Sequence, residues 1–292
     1  MQMGVVPLAL VALTTIVSAL QPTSKWHLDY GNDACRITRD FGTSAKPIVI
    51  DFEAPPMGHG LNVNFFDSRI AVEHGKSSIR VQLVPDPAVL QLDSFTASVG
   101  DHAVSKMSFT LDEESLQKIA GANAISIERR DNRPVVLNLP GLRGAMSALE
   151  NCRANLVTAW GMPLTEQSRL KTPPTVDPKL AKHGLFSTDD YPASALRANI
   201  QGATTVRIDV EADGRPSQCT VVRSSGDAAL DATTCNVVMK RARYVAASAQ
   251  DGRPMKSIDV VKIQWIIPSE RSTSALAPRP ALENTPAPLS PQ

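Results

Sequence analysis

Cysteine is the residue type in this chain whose spacing says most about its chemistry. The 292 residues contain four cysteines and no C-x-x-C pair; they are Cys35, Cys152, Cys219 and Cys235. Zinc ribbons and thioredoxin-type redox sites need that close pair, so neither is expected. An even number of cysteines in an exported chain predicts disulfides instead, with the connectivity open.

The other residue types that could perform catalysis lack the spacing that catalysis needs. The five histidines form no H-x-x-H or H-E-x-x-H pair, so no metal site is expected. Ser224-Ser225-Gly226 lacks the G-x-S-x-G elbow and is typical of a strand-to-helix turn. Asp112-Glu113-Glu114 opens a helix, where carboxylates stabilise the helix dipole. The sequence therefore predicts a protein that is not an enzyme and has no cofactor.

Composition narrows the classes of partner. The net charge of +1 gives no broad basic field for nucleic acid, and an aromatic content of 4% offers little for stacking on single strands. With 42% hydrophobic and 20% charged residues, the chain is typical of a globular protein with a buried core. Its length predicts two small domains and their connectors.

The first residues predict export. Gly4 to Leu20 carry no charge, and Val17-Ser18-Ala19 has the small residues that a signal peptidase reads. Residues 1–19 are therefore predicted to be a signal peptide cleaved after Ala19, with the mature protein in the periplasm. The alternative is an uncleaved inner-membrane anchor, because the apolar run approaches the ~17–20 residues that span a bilayer.

Residues 26–160 are predicted to form a mostly-β domain with a closing helix. Strands are expected at 48–52, 61–66, 79–84 and 107–111, between turns of Gly, Pro, Asn and Asp. A short helix follows Asp112, and a hairpin is expected around Asp131-Asn132-Arg133-Pro134. Leu142 to Trp160 has apolar residues at helical spacing. No motif in this domain predicts its role.

Two Pro-containing segments flank the C-terminal region. Residues 161–189 have four prolines and little apolar periodicity, which predicts a semi-rigid linker. Residues 269–292 are rich in Pro, Ala and Ser, which predicts a disordered tail.

Residues 190–268 predict a small β-β-α-β domain, so that the whole chain is α+β. Thr205 to Glu211 alternate strictly, Asp213-Gly214 turns the chain, and Gln218 to Arg223 run back. A helix capped by Asp227 follows, and Ile258 to Ile267 form the last strand. The apolar stripe of the helix is predicted to consist of Ala228, Ala232, Cys235, Met239 and Ala242.

The predicted inner faces of the strand and the helix in this domain also indicate which cysteines form disulfides. Cys219 lies on the inner face of the second strand and Cys235 on the helix stripe, so a Cys219–Cys235 disulfide would join helix to sheet. Cys35 then pairs with Cys152, which gives one disulfide in each domain. The chain-entropy relation assigns roughly 3 kcal/mol to the shorter loop. The alternative is a pair of free buried thiols.

Two further features of this domain could bind ligands, but simpler interpretations are favoured. Trp265 is in phase with the apolar face of the last strand, so it is predicted to be a core residue instead of a peptide anchor. Lys240-Arg241-Ala242-Arg243 ends the helix, where the dipole favours cations, so a solvated helix end is predicted instead of an anion site.

Residues 190–268 resemble the C-terminal domain of TonB-family periplasmic energy transducers. The order and spacing of several segments carry the resemblance, since no segment is specific alone. In chain order these segments are Tyr191-Pro192-Ala193-Ser194-Ala195-Leu196, Gly202 with alternating Val206, Ile208 and Val210, Asp213-Gly214, Val221-Val222-Arg223-Ser224-Ser225-Gly226, Leu230-Asp231, Arg241-Ala242-Arg243-Tyr244 and Asp251-Gly252-Arg253-Pro254.

The resemblance implies that the domain captures an extended peptide of an outer-membrane receptor by adding it as a strand to a sheet edge. That edge would be the last strand, with contacts from Ile258, Val260, Lys262 and Gln264. The start of the domain would also contact the receptor, through Asp189, Asp190, Tyr191 and Pro192.

Departures from the family bear on partner choice and on energy transfer. Asp190 stands where well-studied members have Gln, and Ala246 stands where many have Pro. A transducer also needs a membrane anchor, so an inner-membrane motor is a partner only if the N-terminus is uncleaved. The resulting prediction is receptor binding that supports energy-dependent transport. The alternative is a soluble periplasmic adaptor or structural protein that reuses the fold without energy transduction.

Overall fold

The computed structural model describes residues 18–57, 60–70, 75–99, 104–129 and 134–267. Residues 1–17 of the predicted signal peptide, residues 131–133 of the predicted turn and the predicted tail 269–292 lie outside these ranges. Within the ranges, no helix combines the length and the apolar character needed to cross a membrane.

Strands predominate in the described chain. The strands are β1 His27–Tyr30, β2 Cys35–Thr43, β3 Lys46–Ala54, β4 Leu61–Asp67, β5 Gly75–Val84, β6 Val89–Val99, β7 Val104–Leu111, β8 Ala124–Glu128, β9 Val135–Asn138, β10 Leu170–Thr172, β11 Thr175–Val176, β12 Gly202–Val210, β13 Pro216–Arg223, β14 Tyr244–Val245, β15 Ala247–Ala249, β16 Pro254–Met255 and β17 Ser257–Trp265. The helices are α1 Glu113–Ile119, α2 Leu142–Ala159, α3 Leu164–Gln167, α4 Pro178–His183, α5 Ala193–Arg197 and α6 Ala228–Arg241, with a 3-10 helix at Thr188–Asp190.

The first nine strands form one large antiparallel sheet, in the order β1-β2-β3-β4-β7-β6-β5-β8-β9. Alternate residues of most of these strands are buried, and the apolar ones form the largest core among the described residues. Helix α2 packs its buried stripe, including Met146 and Leu149, against β1, β2 and β3. We call β1–β9 with α1 and α2 the N-terminal unit. Its mixed, mostly-β content agrees with the prediction, and α2 begins and ends within one residue of the predicted helix.

Three strands of this sheet were not predicted from the sequence: β1, β2 and β6. In β2, Cys35, Ile37 and Phe41 are buried, while charged residues occupy the outer face. In β6 the outer positions include Asp93. The alternation is broken in β2, where Arg39 stands in the phase of the buried residues, and in β6, where Ser94 and Thr96 are buried and Phe95 is exposed, so the apolar pattern does not reveal these strands.

Residues 188–267, which we call the C-terminal unit, contain a three-stranded antiparallel sheet in the order β13-β12-β17. Val206, Ile208 and Val210 of β12 are fully buried beneath α6, and Val238 of α6 packs on them. The order β12, β13, α6 and β17 is the predicted β-β-α-β order. Asp227 caps α6 as expected, because its side chain accepts hydrogen bonds from the amides of Ala229 and Leu230.

The buried face of α6 differs from the predicted stripe. Ala228 and Ala232 are exposed, while Cys235 and Met239 are only partly buried. The residues that α6 buries are Leu230, Thr234, Val237 and Val238, followed by Ala242 just beyond the helix. Burying the larger Leu and Val side chains removes more apolar area from water than burying alanines, so the helix is rotated toward them.

Residues 161–189, predicted as a linker, contain short paired elements. Strand β10 pairs with β15, and β11 pairs with β14, so this segment is hydrogen-bonded to residues of the C-terminal unit. The sequence does not reveal these short strands, because the prolines of the segment interrupt the residue alternation from which strands are predicted.

Both predicted disulfides are present. Cys35 of β2 is bonded to Cys152 of α2, with 6.1 Å between their Cα atoms. Cys219 of β13 is bonded to Cys235 of α6, with 5.6 Å between their Cα atoms. Each bond therefore joins a helix to the sheet that it covers, and the described residues include no free cysteine.

Polar and apolar contacts join the N-terminal and C-terminal units. Arg207 of β12 donates to the carbonyl oxygen of Trp160 at 3.0 Å. Arg223 of β13 forms an ion pair of 2.7 Å with Asp33. A separate apolar cluster has three buried members: Val157, Met162 and Ile258. One face of the small sheet is therefore covered by α6 and the other lies against the N-terminal unit.

Candidate functional site

Strand β17 has one unpaired edge. It pairs with β12 along its whole length, from Gly202 opposite Trp265 to Val210 opposite Ser257. No other strand of the described residues pairs with it. A strand with a free edge presents a row of main-chain N–H and C=O groups on which another strand can form. This is the edge at which the resemblance in the sequence analysis predicts capture of an extended peptide.

The four side chains predicted along this edge lie in different environments. Lys262 and Gln264 are exposed, and Val260 is half-buried. Ile258 is only 5% exposed, because its side chain packs into the apolar cluster between the two units. The part of the edge that can receive a partner is therefore its C-terminal half. Ile258 instead packs the C-terminal unit against the N-terminal unit.

Trp265, the last residue of β17, is a core residue as predicted. Its side chain is 4% exposed, and its Nε1 donates to Oγ1 of Thr234 on α6 at 3.0 Å. The rings of Phe186 and Tyr191 contact it edge-on, with centroid distances of 5.6 and 5.2 Å. Trp265 thereby fixes the end of the edge strand against α6.

The segment from Asp189 to Pro192 lies next to this end of β17. The Tyr191 ring contacts Trp265, and its hydroxyl donates to the carbonyl oxygen of Ile200 at 2.7 Å. Asp189 is exposed, and Pro192 is half-buried. The fold therefore brings together two groups of predicted residues that are about seventy positions apart in the sequence.

Asp190 is engaged within the protein. Both of its carboxylate oxygens accept hydrogen bonds of 2.7 Å from Arg241 at the end of α6. It also accepts from the amide and hydroxyl of Ser187, which closes a capping box on the 3-10 helix. The hydrogen bond from Arg241 is the main cause that lowers the pKa of Asp190 to about 2. The predicted solvated end of α6 thus includes one arginine that is paired.

Asp231 is a structural residue that the sequence reasoning missed. Its carboxylate accepts from the amide of Ser225 and from the hydroxyls of Thr204 and Ser224. Burial raises the pKa of Asp231, but these hydrogen bonds outweigh burial and lower it overall. Ser224 and Ser225 lie in the turn between β13 and α6, as the predicted strand-to-helix turn requires. The Leu-Asp pair after the Ser-Ser-Gly turn was the available signal.

A second missed residue is Asp259, on the face of β17 that is turned toward α6. It lies opposite the buried Ile208, and burial is the main cause that raises its pKa. The hydroxyl of Tyr244 is buried nearby, and its pKa is raised by burial and by the Asp259 charge. Asp259 breaks the apolar alternation of the strand, which was its only sequence signal. Among the described residues, no group of His, Cys, Asp and Glu side chains is arranged to hold a metal ion.

The comparison with known protein families matches this part of the chain. Residues 188–267 match the family described as the Gram-negative bacterial TonB protein C-terminal. Residues 188–267 form a TonB C-terminal domain. The matched residues of this TonB C-terminal domain do not include the nine-stranded sheet. No curated protein and no solved structure matches the chain.

The TonB C-terminal family restricts the kind of function to be considered. It is associated with transport and is not enzymatic, and its proteins belong to the Gram-negative envelope, where they interact with outer-membrane proteins. In this chain, the TonB C-terminal domain carries β17 and its free edge, together with the Asp189–Pro192 segment.

Proposed function

We propose that this protein acts in the periplasm, where the free edge of β17 binds an extended segment of an outer-membrane receptor as an added strand. The observation that carries the proposal is the unpaired edge of β17 within a TonB C-terminal domain. The exposure of Lys262 and Gln264 supports it, because a partner can approach this half of the strand without displacing packed side chains. Main-chain hydrogen bonds supply the binding in this mode.

The hydrogen bond of the Val260 amide indicates which amides of β17 face the free edge. It donates to Oδ1 of the adjacent Asp259 at 2.8 Å, which is a side-chain acceptor. Amides alternate between the two edges of a strand, so Val260, Lys262 and Gln264 direct their amides to the same edge. In the proposed function this is the free edge, and the Lys262 amide is the central donor to the added strand.

Replacing Lys262 by proline tests the proposal. Lys262→Pro removes the amide, and proline is tolerated where a strand amide faces away from the sheet. Loss of this hydrogen bond is expected to weaken binding roughly tenfold. The measurement is fluorescence polarisation with labelled peptides from periplasm-facing segments of outer-membrane receptors, added to the full mature chain.

The matched control is Lys262→Ala, which removes the same side chain and keeps the amide. It is expected to bind neutral peptides as the wild type does. Near-UV circular dichroism of both variants checks that Trp265 keeps its packed environment. Equal binding by folded Lys262→Pro and wild type would reject strand addition at this edge.

A role in energy transduction depends on the N-terminus. We propose that cleavage after Ala19 releases a mature chain that binds receptors as a periplasmic adaptor. Leu20 is attached to β9, since its N–H donates to the carbonyl of Val136 and its own carbonyl accepts from Asn138. After cleavage, the α-ammonium group of Leu20 can still donate to Val136, so the attachment is compatible with a mature chain that starts at Leu20. Mass spectrometry of the protein from fractionated cells is expected to find a chain starting at Leu20 in the soluble periplasm. An intact Met1 in the inner membrane would instead support coupling to the motor.

A further inference from the structure

A cleft of about 760 Å³ separates the outer face of the nine-stranded sheet from the free-edge side of the C-terminal unit. Its floor is lined by residues of β2, β3, β4, β5, β6 and β7. Arg223 of β13 and Lys262 of β17 line its other wall, and both pair across the small sheet with Thr205. The cleft therefore runs beside the predicted receptor-binding edge.

Most polar groups on the floor of the cleft already have partners. Arg36 pairs with Glu53 at 2.6 Å, and Arg223 pairs with Asp33 at 2.7 Å on the other wall. The side-chain nitrogen of Asn64 donates to Asp51 at 2.6 Å. These contacts pair Arg36, Glu53 and Asp51, whereas Asp93 of β6 also lines the floor and forms no ion pair among the described residues.

Three lysines line the cleft, Lys76 of β5, Lys106 of β7 and Lys262 of β17, and none of them forms an ion pair among the described residues. The Lys106 ammonium lies 5.9 Å from the centre of the Phe66 ring. Burial lowers the pKa of Lys106, the attraction of Glu53 opposes this, and the charge of Lys262 adds to the lowering. The two cations are therefore close enough to repel each other.

An added strand would place side chains between these lysines. Val260, Lys262 and Gln264 share one face of the small sheet with Arg207, and that face is turned toward the N-terminal unit. A strand added to β17 continues the same pleat, so its alternate side chains point into the cleft. The side chain opposite Lys262 would have its Cβ about 5 Å from that of Lys262, and opposite charges in such a pair stabilise each other.

We propose that the cleft between Lys106 and Lys262 receives an acidic side chain of the strand added to β17, so that the nine-stranded sheet helps to select acidic extended segments. This inference rests on the proposed strand addition. It assigns the N-terminal unit a part in partner choice, through a cation that lies outside the TonB C-terminal domain. The carboxylate relieves the repulsion between the two ammonium groups and replaces the missing ion-pair partner.

Two synthetic peptides of alternating Thr and Val, identical except for a central Glu or Gln, test the inference on the full mature chain. Wild type is expected to bind the Glu peptide roughly fivefold more tightly than the Gln peptide, as one favourable cross-strand charge pair predicts. Lys106→Met is expected to reduce this preference, leaving only the part that Lys262 supplies, without changing the affinity for the Gln peptide. Lys46→Met is the matched control, because Lys46 is exposed at the start of β3 and does not line the cleft.

The outcomes separate this inference from the proposed function. If Lys106→Met keeps the full wild-type preference for Glu while Lys262→Pro still weakens binding of both peptides, the inference is overturned and strand addition stands. If the wild type binds neither peptide, both the inference and the proposed strand addition are rejected. Lys106→Arg retains the charge and guards against a folding defect in Lys106→Met. It is expected to keep the preference, and a folded Lys106→Arg protein without it would also overturn the inference.

Discussion

Asp190 and Asp231 each hold a turn beside the end of a helix or strand in the TonB C-terminal domain. Asp190 connects the 3-10 helix to the last turn of α6 through Arg241, and Asp231 gathers the hydroxyls and amide of the turn before α6. Hydrogen bonds to the charged form lower the pKa of both carboxyls. At the scale of single residues, the carboxylates of Asp190 and Asp231 therefore position the main chain of this domain through hydrogen bonds within the protein.

Asp190→Asn tests this at the residue scale. The variant is expected to lower the free energy of unfolding by about 1 kcal/mol near neutral pH, the upper range for an ion pair at the surface. Because folding lowers the pKa of Asp190 from 3.8 to about 2, its stabilisation is present above pH 3.8 and is lost as pH falls through about 2. The difference between variant and wild type, measured by urea unfolding at several pH values, should shrink in that window.

Asp189→Asn is the control for this experiment. Asp189 is the adjacent residue, and its side chain is exposed. It is expected to leave the unfolding free energy unchanged at every pH. A stability loss for Asp190→Asn that persists unchanged below pH 2 would show that the Arg241 ion pair is not its cause.

At the scale of elements, α6 is attached to its sheet by both packing and a covalent bond. Leu230 and Val238 of α6 are fully buried, and Cys235 of α6 is bonded to Cys219 of β13. The cysteine pair lies at the border of the buried face, since both cysteines are only partly buried. The disulfide therefore closes the side of the α6–sheet contact that the apolar residues leave open.

Replacing Cys219 and Cys235 together by alanine is expected to destabilise the TonB C-terminal domain by roughly 3 kcal/mol, the chain-entropy value for a loop of this length. Amide hydrogen exchange of β12 measures the effect, because its buried amides open only when the sheet unfolds. The double variant of Cys35 and Cys152 is the control and should leave exchange of β12 unchanged. If β12 is protected equally in the wild type and in the Cys219 and Cys235 double variant, the disulfide does not stabilise this domain.

At the scale of the whole molecule, the apolar cluster around Ile258 helps to hold the two units in one arrangement. Ile258 of β17 is buried with Val157 and Met162, which lie in and just beyond α2. Arg207 and Arg223 add polar contacts to the same face. This arrangement places Lys106 and Lys262 in the same cleft, so the proposed selection of acidic segments depends on it.

Ile258→Ala is expected to loosen this arrangement. Removing most of a buried Ile side chain costs about 2–5 kcal/mol, which falls on the contact between the units as well as on the C-terminal core. Limited proteolysis should then cleave residues 161–189 faster, with mass spectrometry used to locate the cuts. Ile266→Ala is the matched control, because Ile266 is 63% exposed. Cleavage of both variants at the wild-type rate would show that Ile258 does not hold the units together.

Several features of this protein were readable without a structure because they depend on local patterns. The strict alternation of β12, the Asp-Gly turn and the cap at Asp227 defined the order of the C-terminal elements. Both cysteine pairs also followed, since the predicted helix and strand faces placed Cys219 and Cys235 together. The stripe of α6 did not follow, because the choice between alanines and larger residues depends on the surface that the helix covers.

The sequence by itself determined the β-β-α-β order, the helix α2 and the two disulfides. These features follow from alternation, helical spacing and caps, which depend only on residues close together in the chain. Only the tertiary structure decided that Ile258 is buried between the units, that Arg241 holds Asp190 and that Lys106 lies near Lys262. These contacts join residues that are distant in the chain and carry no local pattern. Their existence depends on how two separately patterned units pack, which is a property of surfaces in three dimensions.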